Sequence, residues 1–66
     1  MWEWFYEIRG AENRLVRRAG AFNTAQEAIA AGTRYLQDNK AYVVRPDYPD
    51  EVFSVMTGQK LVREDP

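Results

Sequence analysis

The sequence predicts an α+β domain of order β-β-α-β-β: a four-stranded antiparallel sheet with one helix packed on one face. Three observations carry that prediction. Residues 2–9 alternate in character with a period of two, residues 24–27 spell a helix-capping box, and two short apolar runs follow the helix between proline and glycine signals.

In the first strand Trp2, Trp4, Tyr6 and Ile8 point one way and Glu3, Phe5, Glu7 and Arg9 the other. Gly10-Ala11-Glu12-Asn13 follows, with Gly and Asn able to supply the positive φ of a hairpin turn. Arg14 to Phe22 forms the second strand, where Gly20 permits a bulge or bend.

Thr24-Ala25-Gln26-Glu27 is the capping box, and the helix runs from Ala25 to Gln37 or Asp38. Ala25, Ala28, Ile29, Gly32, Tyr35 and Leu36 recur at helical spacing and form its buried face. Small residues dominate the first half of that face, so the helix approaches the sheet closely there. Asn39 suits the left-handed residue that closes a helix. Lys40 to Arg45 is the third strand, ended by Pro46. Glu51 to Met56 is the fourth, closed by Thr57-Gly58, with a short edge piece over Lys60 to Val62. Residues 1–62 make one small domain, and 63–66 form an acidic tail that frays. The expected core holds Trp4, Tyr6, Ile8, Leu15, Ile29 and Leu36, with residues from Tyr42–Val44 and Phe53–Val55.

A chain of 66 residues and 7.7 kDa buries only about 60% of its unfolded surface. It has no cysteine, so neither a disulfide nor a thiolate metal site supplements the core. It has no histidine, which removes the commonest general base and zinc ligand together. The lone serine, Ser54, lies inside a strand with nothing to activate it. The reading is therefore a non-enzymatic protein with no cofactor and no bound metal. Asp47, Asp50 and Glu51 form an acidic loop stiffened by two prolines, which reads as a solvated turn rather than a cation site. The net charge is −1 and the isoelectric point 5.3, against the basic balance of a phosphate-binding domain. No apolar run is long enough to span a membrane, and no export signal opens the chain, so it reads as cytoplasmic.

Two features suggest an interaction surface. Arg14, Arg17 and Arg18 cluster on the second strand, either as a guanidinium patch for phosphates or as cross-strand partners for Glu3, Glu7 and Glu12. Phe5 points away from the helix, and Val16 is expected beside it, so the outer sheet face carries an apolar patch. The expected function is a protein-interaction module that self-associates as a homodimer through that face or binds a partner protein there. The alternative is a small nucleic-acid binder using Phe5 and the three arginines.

Phe5-Tyr6-Glu7-Ile8, Phe22-Asn23-Thr24 and Ala28-Ile29-Ala30-Ala31-Gly32 resemble the YegP-like modules, small bacterial domains of unknown function. The likeness covers roughly residues 4–45. It implies the strand–strand–helix–strand plan and paired modules, and supplies no reaction. The chain departs from the family in lacking an Asn-Gly pair in the helix and in its fourth strand.

Overall fold

A computed structural model describes residues 1–62. Strands β1 (Trp2–Arg9) and β2 (Leu15–Phe22) form a hairpin, joined by a tight turn in which Glu12 and Asn13 both adopt positive φ. Helix α1 (Ala25–Asp38) crosses back over the sheet, the short helix α2 (Lys40–Val43) continues it after Asn39, and β3 (Ser54–Leu61) returns beside β1. The sheet is antiparallel and three-stranded, in the order β2-β1-β3.

The two ladders differ. β3 pairs with β1 residue for residue from Trp2–Leu61 to Arg9–Ser54, without a break. β2 is bulged twice: Trp4 lies opposite Phe22 but Tyr6 opposite Ala19, and Ile8 opposite Arg17 but Arg9 opposite Leu15. Each bulge places an extra residue on β2, which twists that strand and interrupts its pairing. The first contains Gly20, as its sequence position suggests, but the positive φ falls on Ala21.

The Thr24 half of the capping box starts α1, while the Glu27 carboxylate reaches one residue past the N-cap. Thr24 Oγ1 accepts from the Glu27 N–H at 3.1 Å, and the Glu27 carboxylate accepts from the Asn23 N–H at 3.2 Å. Its close approach to the sheet rests on Ala28, fully buried, and on Gly32. A Cβ on Gly32 would come within 2.7 Å of Val55 Cγ1 and 2.9 Å of Tyr6 Cγ. Tyr6, Ile8 and Ala28 form the centre of the core, with Trp4, Val16, Phe22, Tyr35, Leu36, Phe53 and Val55 packed around them.

Several expectations are corrected. Lys40 to Arg45 is not a strand: Lys40–Val43 is a helical turn, with Val43 buried and Tyr42 89% exposed. Its residues have strand propensity, but Asn39 closes α1 by donating its N–H and its Nδ2–H to the Tyr35 carbonyl, and the chain stays helical beyond it. Asn39 has φ −120, so this closure uses hydrogen bonds instead of a left-handed residue. The last strand starts at Ser54, later than Glu51, and runs through Thr57-Gly58 to Leu61. Leu15 and Val16 exchange roles: the bulge turns Val16 into the core and leaves Leu15 48% exposed on the opposite face. Ile29, expected in the core, is 43% exposed. The tail expected to fray, 63–66, lies outside the described residues.

Candidate interaction surfaces

The strand registers sort the side chains into two faces. On the face away from α1, β1 presents Glu3, Phe5, Glu7 and Arg9 opposite Lys60, Gly58, Met56 and Ser54 of β3. Arg18 and Leu15 of β2 stand opposite Glu7 and Arg9 on the same face.

Phe5 lies at its centre, its ring against Gly58 and the Arg18 guanidinium 4.2 Å above the ring centroid. Glu7 accepts from Arg9 Nη2 at 3.1 Å and lies 3.7 Å from Arg18 Nε. The face is therefore a mosaic: an aromatic ring under a cation, a three-membered ion network, and Met56 and Leu15 at the flanks. A guanidinium stacked on an aromatic face contributes about 0.5–1 kcal/mol where water reaches it.

The three arginines singled out by the sequence do not form one patch. Arg18 alone lies on the outer face. Arg17 is opposite Ile8, on the helix side, where its Nε donates to the Tyr6 hydroxyl at 2.9 Å and its guanidinium stacks 4.2 Å over the Tyr35 ring. The Tyr6 hydroxyl, as acceptor, favours the charged form of Arg17. Arg14 turns to the end of the hairpin. Val16 is in the core and contributes nothing to the outer surface.

Arg14 leads to the most polar site in the molecule, one the sequence conceals. Glu51 is the lone buried charged residue among those described, its side chain wholly out of contact with water. Arg14 Nη2 donates to its Oε1 at 2.8 Å and Arg14 Nε to its Oε2 at 3.3 Å. Arg45 donates to both oxygens at 3.3 Å, and the Ala11 N–H donates to Oε2 at 2.7 Å. A Cβ on Gly10 would overlap this carboxylate, so glycine there opens the turn to it. The Arg14 hydrogen bonds lower the Glu51 pKa most, against the opposing effect of burial, with help from the Ala11 N–H and the charge of Arg45. Glu51 thus ties the loop of residues 44–53 to the hairpin turn. It is no solvated acid, and the acidic loop is not a cluster: no three His, Cys, Asp or Glu side chains gather as metal ligands among the described residues. Nor does any cavity open there.

The helix places a further surface at the β3 side. Tyr35 leans toward β2, where Arg17 covers it, and Gly32 faces Tyr6 and Val55. At 100° per residue Ile29 lies on the opposite flank from Tyr35, above β3. That flank carries Gln26, Ile29, Thr33, Leu36 and Gln37. All the charges of α1, Glu27, Arg34 and Asp38, lie toward β2 and the solvent. The same asymmetry could be read from the sequence by placing the charges on the helical wheel.

No protein-family model matches the chain, and no curated protein or solved structure shows significant similarity to it. No helix among the described residues is long and apolar enough to cross a membrane.

Proposed function

We propose that this protein is a non-enzymatic protein-interaction module whose outer sheet face receives a partner protein. The observation that carries the reading is the half-buried Phe5–Arg18 stack, flanked by exposed Met56 and Leu15 on the face away from α1. Aromatic, arginine and methionine side chains are enriched at protein interfaces, and a rigid ring held in place by its neighbours loses little entropy on contact. The interspersed charges of Glu3, Glu7, Arg9, Arg18 and Lys60 suit a partner of mixed polarity and give the contact its register. The resemblance to the YegP-like modules is proposed with this reading and adds no reaction to it.

The nucleic-acid alternative has less support. It requires Arg14, Arg17 and Arg18 to converge on a phosphate, and they lie at three separate places, Arg14 and Arg18 in ion pairs and Arg17 stacked on Tyr35.

The test is affinity capture from the native host, read by mass spectrometry, with the wild type, Phe5→Glu, and Arg34→Glu on the solvent side of α1. Proteins retained by the wild type and by Arg34→Glu but lost with Phe5→Glu support the outer face. Identical capture by all three overturns it. A gel shift with oligonucleotides at about 50 mM salt that vanishes at about 200 mM would favour the alternative.

A further inference from the structure

We infer that the free edge of β3, with the uncharged flank of α1 above it, is the joint between two copies of this chain. Two β3 strands pair antiparallel across a two-fold axis and extend the sheet to six strands, with both helices on one face.

The edges of the sheet are not equivalent. β2 is bulged twice, carries Arg17 and Arg18, and has Ala21 at φ 71, all of which disfavour docking by a further strand. β3 has neither bulge nor positive φ, and one charge near its end. It is eight residues long, regular in its ladder with β1, free of proline, and charged only at Lys60. No strand lies beyond it among the described residues. Such an edge presents a row of unpaired N–H and C=O groups, the template to which another strand adds.

The helix above decides for a second copy. A two-fold contact sets the same flank against itself, with residues near the axis meeting their own counterparts, so charges of one sign there would repel. Gln26, Ile29, Thr33 and Gln37 carry none, whereas the charges of α1 are turned away from that side. Ile29 is the large apolar side chain left uncovered there.

The spacing fits as well. Gly32 lies over both Tyr6 of β1 and Val55 of β3, so the axis of α1 runs above the gap between these strands. With strands about 4.8 Å apart, that axis lies about 5 Å from a two-fold placed just outside β3. The two helices then run about 10 Å apart, the separation at which helices pack. The midpoint of β3 puts the axis near Thr57, and the outer faces of the two copies become continuous.

Sedimentation velocity from about 5 to 500 μM and cysteine cross-linking test this. The wild type is expected to form a dimer within that range. Ile29→Lys, at a half-exposed position that tolerates the change, should raise the dissociation constant at least about tenfold with the far-UV spectrum retained. The chain has no cysteine of its own, so Ile29→Cys should yield a disulfide-linked dimer on mild oxidation and Arg34→Cys should not. Phe5→Glu should leave the dimer intact, which separates this joint from the partner face. A wild type monomeric throughout the range, a dimer dispersed by Phe5→Glu but not by Ile29→Lys, or equal cross-linking at both cysteines would overturn the inference.

Discussion

At the scale of single residues, Glu51 concentrates the most chemistry. One carboxylate accepts from two guanidinium groups and a backbone amide, with its side chain shut off from water. Such a group belongs to the folded state alone, because in the unfolded chain Arg14 and Arg45 are dispersed. Its pKa is lowered in the fold, so the unfolded state takes up a proton first as the pH falls. The stabilisation is complete above the ordinary carboxylate range, declines as pH drops through it, and is gone below the depressed folded value. Thermal melts followed from pH 7 to pH 2 should show a falling midpoint. Glu51→Gln should lower the midpoint at pH 7 and flatten its descent. An unchanged descent in that variant would assign the acid sensitivity to other carboxylates. Tyr6→Phe is a milder probe: it removes the acceptor of Arg17 Nε while keeping the ring, and should cost about 1 kcal/mol in urea unfolding.

At the scale of elements, the fit of α1 to the sheet depends on one missing methyl group. An Ala in place of Gly within a helix ordinarily stabilises it by about 1 kcal/mol. Gly32→Ala should do the opposite, because the new Cβ meets Val55 and the Tyr6 ring at distances no relaxed contact allows. A net loss of about 1–3 kcal/mol is expected from denaturant titration, and a gain would mean that α1 stands farther from the sheet. Thr24→Ala should cost about 1 kcal/mol through the cap alone. Both features were legible in the sequence, the capping box from its spacing and the close approach from the run of small residues. β1 was legible for the same kind of reason, since a period of two with aromatic residues has one meaning. β2 resisted because a bulge shifts phase without leaving a mark in composition, which is how Leu15 and Val16 traded faces. The Lys40–Val43 turn resisted because its strand-forming residues speak only for themselves, whereas the hydrogen bonds that close α1 at Asn39 carry the chain into one more helical turn. Glu51 resisted because an acid just after two prolines has the local character of a solvated turn, and its partners are about 40 positions away or across the loop.

At the scale of the whole molecule, the sheet has one face covered and one open, with one guarded edge and one bare. Paired as inferred, two copies bury β3 and leave the outer faces as a single platform carrying two Phe5–Arg18 stacks. Amide exchange offers an independent view of this arrangement. The outward amides of β3 should exchange more slowly at about 500 μM than at about 5 μM, while those of β2 should be indifferent to concentration. Equal behaviour of both edges would count against the paired arrangement.

The neighbouring positions of β1 and β3 have one more consequence. The Val62 N–H donates to the Met1 carbonyl at 2.8 Å, so residues 1 and 62 stand side by side. A module with that property can be grafted into a loop of another protein without stretching its host, or cut open elsewhere and resealed. A permutant that joins residue 62 to residue 1 through a short glycine linker, with new ends between Glu12 and Asn13, relieves two positive φ values as it opens the turn. It should keep the native circular dichroism spectrum, although its first strand would then be β2.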